Sequence, residues 1–107
     1  MNKIYDLVII GAGSGGLVVA SGAAGLGASV ALIEKHKMGG DCLNYGCVPS
    51  KAFLKPAHLA KDINNASELG LSVGNVTVDV KEIMNYVRSV IKEIEPHDSK
   101  ERYEGLG

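Results

Sequence analysis

Cys42 and Cys47 stand with four residues between them in Gly39-Gly40-Asp41-Cys42-Leu43-Asn44-Tyr45-Gly46-Cys47-Val48-Pro49-Ser50-Lys51, and the chain carries no other cysteine. A close cysteine pair can cycle between dithiol and disulfide, pack as inert thiols, or contribute to a metal site. On a regular helix, residues five apart are separated by about 7.5 Å along the axis. A disulfide needs its Cα atoms roughly 4.4–6.8 Å apart. A bridge therefore requires the backbone between the cysteines to leave helical form, and Gly46 permits such a bend. Pro49 is tolerated only in a first helical turn, so a regular helix is expected to begin near Val48. Cys47 then sits at a helix N-terminus, where the dipole stabilises a thiolate and lowers its pKa. Cys42, outside that turn, is expected to be the more accessible sulfur. Lys51 falls one turn beyond Cys47, on the same face. Zinc would need four ligands, and His36, His58 and His97 lack the paired spacing of zinc sites. Between a redox pair and inert thiols, the spacing alone does not decide.

The elements upstream tip the balance. Ile4 to Ile10 is an apolar run rich in β-branched residues, interrupted only by Tyr5 and Asp6, and reads as a buried parallel strand. It enters Gly11-Ala12-Gly13-Ser14-Gly15-Gly16, which satisfies G-x-G-x-x-G. Leu17 to Leu26 reads as a helix ending near Gly25 or Gly27, and Ala28 to Ile33 as a second strand ending at Glu34. This is a βαβ unit with its acidic residue at the interval that dinucleotide binding requires. Gly11 allows the tight turn, Gly13 the approach of a pyrophosphate, and Gly16 close helix–strand packing. The helix N-terminus, with Ser14 and Gly15, offers N–H groups and a hydroxyl to phosphates. Glu34 would accept from ribose hydroxyls. Lys35 either flanks the adenosine or is a surface lysine. Gly39 and Gly40 would let the backbone pass close to the pyrophosphate. Asp41 could cap the following turn or reach a ribose through water.

The run GGDCLNYGCVPSK resembles, residue by residue, the redox-active motif of the class I flavin disulfide reductases, the pyridine nucleotide-disulfide oxidoreductases. That family includes dihydrolipoamide dehydrogenase, glutathione reductase and mercuric reductase. The resemblance also covers the glycine motif and, more loosely, the rest of the chain. Asp41 stands where better-known members carry threonine or serine. Ile94-Glu95-Pro96-His97-Asp98-Ser99, followed by Glu101-Arg102-Tyr103, resembles the mercuric reductase-like branch. The resemblance implies an α/β fold: the N-terminal part of a Rossmann-like FAD-binding domain, spanning 1–107. In it a βαβ unit is followed by a redox-active helix and further helices, with an incomplete sheet. It implies FAD as cofactor, contacted by Gly11, Gly13, Ser14, Gly15, Glu34, Lys35, Gly40 and Asp41 and faced by Cys42, Cys47 and Lys51. Cys47 would be the flavin-facing sulfur, Cys42 the interchange sulfur, and Lys51 would tune the flavin. The full-length parent would be a homodimer that oxidises NAD(P)H, read first as a mercuric reductase-like enzyme acting on thiol-bound mercuric ion. Alternatively it is a dihydrolipoamide dehydrogenase or glutathione reductase-like enzyme acting on a small-molecule disulfide. The non-enzyme alternative is a nucleotide-binding or assembly module with idle cysteines. The nicotinamide domain, the dimerisation domain and the histidine base of the family have no counterpart in this sequence, so the chain alone is expected to be inactive in turnover.

Beyond the motifs, Val48 to about Asn64 has a helical pattern that Pro56 should kink or break. Leu69 to Val73 is expected to pack as a small apolar patch, and Val76 to Val80 to form a short extended segment with Asp79 as an N-cap. Ile83, Val87, Val90, Ile91 and Ile94 mark one face of a helix over 80–94. Pro96 should stop it, and Asp98 or Ser99 should cap a short last helix closed by Gly105. With a formal net charge of −1 over 107 residues, nothing favours nucleic acid or an anionic membrane surface. No signal peptide or bilayer-spanning stretch is evident. Two cysteines in such a chain point to a reducing, cytoplasmic setting, where a disulfide is more often catalytic than structural.

Overall fold

The computed structural model describes residues 2–107. Strand β1 (Leu7–Ile10) runs into the glycine loop, helix α1 (Ser14–Gly25) returns the chain, and strand β2 (Val30–Ile33) pairs parallel to β1. The register sets Leu7 against Val30 and Ile10 against Ile33. A clip outside the ladder fixes that register. The Ser29 N–H and hydroxyl both donate to Asp6 Oδ2, at 2.8 and 2.9 Å, and the Asp6 N–H donates to Ser29 Oγ at 3.0 Å. These bonds hold the Asp6 carboxyl below its usual pKa. α1 ends in two reversed bonds, Gly27 N–H to the Ala24 carbonyl and Ala28 N–H to the Ala23 carbonyl, which release the chain into β2.

Two helices meet at the cysteine motif: α2 (Gly40–Asn44) and α3 (Cys47–Asn64). A 3₁₀ turn (Ala66–Leu69) and an irregular stretch over 71–79 lead to α4 (Val80–Ile94). Asp79 caps α4 by accepting the Glu82 N–H at 3.2 Å. A second 3₁₀ turn (Glu95–Asp98) and α5 (Lys100–Gly105), capped by Ser99 Oγ on the Arg102 N–H, complete the chain. The expected stripe of α4 is the inward one. Val87 is buried, Ile83, Val90, Ile91 and Ile94 are half-buried, and α4 packs along α3.

The expected α/β plan is present: one βαβ unit, an incomplete sheet, and helices beyond it. Several local expectations give way. β1 is shorter than the apolar run and is not buried, with Val8 53% and Ile10 85% exposed. α1 covers the face carrying Ile9, and among the described residues Val8, Ile10 and Ile33 of the other face stay exposed. The Leu69–Val73 patch does not pack; Leu69 and Leu71 are exposed. No strand forms over 76–80, because its alternating valines have no neighbouring strand to pair with. α3 runs unbroken through Pro56. The elements extend over 70 × 25 × 18 Å, with a radius of gyration of 20.2 Å, against about 13 Å for a compact domain of this size. The buried core is correspondingly small: Ala12, Leu17, Ala20, Leu43, Ala52, Ala66 and Val87. Among the described residues no helix is long and apolar enough to cross a membrane.

Candidate functional site

The glycine loop lies between the end of β1 and the first turn of α1. Its start is tied to the end of β2 by the Gly11 N–H on the Ile33 carbonyl at 2.7 Å. Leu17 is the first residue to close a helical bond, back to the Gly13 carbonyl at 2.9 Å. The N–H groups of Ser14, Gly15 and Gly16 ahead of it therefore have no helical partner and form the positive end of the helix. Ser14 and Gly15 are exposed there. Gly16 backs onto the Gly11 carbonyl, the close packing expected of it.

Glu34, just past β2, turns its carboxylate onto this loop. Oε2 accepts the Ala12 N–H at 2.7 Å and Oε1 accepts the His36 N–H at 3.1 Å. The Ala12 amide first, then the His36 amide, hold the carboxyl below its usual pKa, against a smaller opposing effect of burial. The group is thus an anchored anion at the mouth of the glycine loop. An ionised carboxylate offers about four lone-pair sites. Two amides leave capacity for ribose hydroxyls without releasing the loop.

The cysteine motif is fastened to the same loop through backbone. The Gly39 N–H donates to the Ala12 carbonyl at 2.9 Å. Gly40 follows at φ +60°, and a Cβ there would stand 2.7 Å from the Gly13 Cα. A side chain on Gly40 has no room against Gly13, and an L-residue would also be strained at that φ. Gly46 makes the second close approach, between α2 and α3. A Cβ on it would meet the Asp41 carbonyl oxygen at 2.9 Å and the Cys42 Cα at 3.4 Å. The backbone does bend where the disulfide argument required, at Gly46 with φ −123°, ψ −109° between α2 and α3.

Cys42 lies within α2 and Cys47 is the first residue of α3. Both are free thiols. Two expectations about them are corrected. Cys47 is the exposed sulfur and Cys42 the half-buried one, because Cys42 is packed into the α2–α3 turn while Cys47 opens α3 at its free end. The Cys47 pKa is raised rather than lowered. The side-chain hydrogen bond it shares with Cys42 favours the protonated thiol most, followed by repulsion from a Cys42 thiolate and by burial. Its own backbone N–H and the Lys51 ammonium pull the other way and lose. Lys51, one turn along α3, thus favours the Cys47 thiolate, but as the weakest of these influences.

Lys35 and Asp41 are exposed. Asp41 caps neither helix: Gly39 is the N-cap of α2, Gly46 that of α3, and neither end has a side-chain cap. Residues missed by sequence reasoning lie between the cysteines. The Asn44 Nδ2 donates to the Gly40 carbonyl at 2.8 Å and the Met38 carbonyl at 3.2 Å. The Tyr45 hydroxyl meets His36 Nε2 at 3.3 Å, with the Lys37 ammonium 5.6 Å from the Tyr45 ring centroid. Asn44 stands four residues past Gly40, the spacing at which a side chain inside a helical turn can reach back to a carbonyl, and that spacing could have flagged it. No sequence signal links Tyr45 to His36.

Comparison with known proteins bears on the whole arrangement. A family profile described as pyridine nucleotide-disulphide oxidoreductase matches residues 5–104. Similar proteins include the dihydrolipoyl dehydrogenase of Acholeplasma laidlawii, 42% identical over 95 residues, covering 88% of this chain and 28% of the relative. The dihydrolipoyl dehydrogenase of Geobacillus stearothermophilus is 39% identical over 89 residues, covering 83% of this chain and 19% of the relative. One from Bacillus subtilis (strain 168) is 40% identical over 89 residues, with the same coverage of 83% and 19%. The chain thus spans between 19% and 28% of the length of these relatives.

Proposed function

The chain belongs to the pyridine nucleotide-disulphide oxidoreductase family, and from that premise we propose that it supplies the FAD-nucleotide wall and the redox-active cysteine pair of an NAD(P)H-dependent disulfide reductase. The observation that carries this reading is the joint between the two motifs. Gly40 lies against Gly13, and Glu34 is anchored to Ala12, so the phosphate loop, the ribose acceptor and the cysteine turn form one continuous surface.

The residues fit the cofactor. Unpartnered N–H groups at Ser14, Gly15 and Gly16 suit a pyrophosphate, the Glu34 carboxylate has lone pairs left for a ribose, and Gly13 and Gly40 leave the backbone bare of side chains. Bound there, FAD would carry the two electrons between a nicotinamide and the protein disulfide. The chain's own groups do the rest. On this reading Cys47, the exposed sulfur, would be the one covered by the cofactor, and Cys42 the one that exchanges with substrate. Lys51 keeps a positive charge facing Cys47 and favours its thiolate once the pair is reduced. Lys35 and Asp41, both exposed, are available to the adenosine side and the ribose side respectively.

For the substrate, the relatives named dihydrolipoyl dehydrogenase favour a small dithiol–disulfide of the lipoyl type. Thiol-bound mercuric ion is the second reading, favoured by the resemblance of Ile94–Ser99 and Glu101–Tyr103 to the mercuric reductase-like branch. Alkylation with iodoacetamide, read by mass, tests the central reading. In the free chain Cys47 reacts first. With FAD added, Cys47 becomes protected, Cys42 becomes the faster thiol, and Glu34→Ala weakens the protection. An order of reaction that ignores FAD, under conditions where riboflavin alone also has no effect, defeats the reading.

A further inference from the structure

All the side chains between the two cysteines point back to one segment. Leu43 is buried beneath Gly39, Asn44 bonds to Met38 and Gly40, and Tyr45 reaches His36. That segment in turn rests on the phosphate loop through the Gly39 N–H and the Gly40–Gly13 contact. Its two glycines bring no side chains to hold their own turn, and α2 is a five-residue helix too short to be stable by itself. The half-buried Asn44 amide supplies what the turn lacks. Both its N–H groups are used on carbonyls, so its orientation is fixed by partners that only accept.

We propose that Asn44 is a positioning residue whose side-chain amide holds Cys42 and Cys47 at bridging distance by clamping the turn seated on the phosphate loop. The inference rests on the reading of the two cysteines as a redox pair. A disulfide tolerates only a narrow range of Cα separations, and its formation depends on how closely the reduced thiols are already held. A clamp on one wall of the turn therefore sets the thiol–disulfide equilibrium. The reaction that reports it is exchange with glutathione disulfide. The Cys42 and Cys47 sulfurs join, the glutathione disulfide bond breaks, and the two protein protons pass to the two released glutathione thiolates.

The test equilibrates the purified chain in mixtures of reduced and oxidised glutathione at fixed pH, quenches with acid, alkylates, and counts free thiols by mass. Asn44→Asp keeps the shape but removes both donors, and Asn44→Ala removes the group. Each is expected to lower the equilibrium constant for disulfide formation about tenfold, the scale of one to two net hydrogen bonds. Asn44→Ser, which keeps one donor, should fall between, and decides the matter if Asn44→Ala does not fold by circular dichroism. Tyr45→Phe, which loses only an exposed hydroxyl, should stay within about twofold of the parent. Asn44→Asp or Asn44→Ser with the parent's constant overturns the role of Asn44 while leaving the redox reading intact. A parent chain that forms no internal disulfide in any mixture overturns both.

Discussion

Where the cysteine motif meets the glycine loop the molecule is held by backbone lying on backbone; from α3 to α5 it is held by one row of side chains lying on another. In the first region Gly40 meets Gly13, Gly46 meets the Asp41 carbonyl, and the Glu34 and Asn44 side chains bond to main-chain groups rather than to each other. In the second region α4 lays Ile83, Val87, Val90, Ile91 and Ile94 along α3, and its polar side chains form local caps or exposed pairs such as Lys100–Glu104. The two kinds of construction fail differently. A surface made of bare backbone can accept phosphates and a flat ring, yet at Gly40 and Gly46 it has no room for one added carbon. A side-chain stripe tolerates exchange but loses stability with every carbon removed.

The largest effect expected from this difference is that of a single methyl at the joint. Gly40→Ala would place a Cβ 2.7 Å from the Gly13 Cα at φ +60°. Overpacking and left-handed strain together cost about 2–5 kcal/mol. Urea denaturation followed by circular dichroism, with FAD fluorescence quenching as a second signal, should show a lowered midpoint and lost flavin binding. A Gly40→Ala chain with the parent's midpoint and flavin affinity would falsify the backbone-joint account. The helical region answers with a smaller loss. Val87→Ala removes a buried isopropyl group between α4 and α3 and should cost about 1–3 kcal/mol. It should leave the glutathione equilibrium of the cysteines unchanged. A shift in that equilibrium would show that the two regions are less separate than their packing implies. Asp79→Ala, which removes only the cap of α4, should cost about 1 kcal/mol and change helix content alone.

How far these regions were legible in the sequence follows from the same contrast. The glycine loop was readable because its residues are its structure: spacing, turn and helix-opening N–H groups without helical partners are one fact seen three ways. The α4 stripe was readable because helical period and burial coincide at Ile83, Val87, Val90, Ile91 and Ile94. Val76, Val78 and Val80 carried a strand-like alternation, but strand formation depends on a partner that local sequence does not contain. The exposure of Val8 and Ile10 is illegible in the sequence for a related reason, since burial of a strand is decided by the layers laid over it. At the site, the position of Glu34 was legible while its hold on the Ala12 and His36 amides was not. Those bonds depend on where β2 ends relative to the loop.

A pH titration sharpens the comparison inside the first region. Glu34 has its pKa depressed in the folded chain by amide bonds. Its contribution is therefore fully present above the unfolded carboxylate value and is lost as pH falls through the lower folded value. The Ala12 and His36 amide resonances should move together over that acidic window, and α4 resonances should not follow. Glu34→Gln should flatten the response. Ala12 shifts that persist in Glu34→Gln would assign the transition to another carboxylate.

The smallest effect, and the most local, belongs to the seam where the two regions meet. Cys47 is both the end of the backbone-built motif and the first residue of the long helix α3. Taken with the helix alone, its thiol should ionise easily, since the N-terminal dipole and Lys51 both favour the thiolate. Taken with the motif, it should ionise reluctantly, since Cys42 shares its proton and would repel it once charged. The second influence prevails, and the Cys47 pKa stands above the ordinary thiol value. Separating the two requires one change on each side. Cys42→Ala removes the hydrogen bond and the repulsion and should lower the Cys47 pKa. Cys42→Ala combined with Lys51→Ala should return part of that shift. The measurement is the pH dependence of iodoacetamide alkylation at Cys47, with the site identified by mass. If Cys42→Ala leaves the profile where it was, the raised pKa does not come from the pair, and burial at the start of α3 takes its place as the cause. If Cys42→Ala lowers it and Lys51→Ala raises it again, the thiol is tuned by both regions at once, with the neighbouring sulfur outweighing the helix.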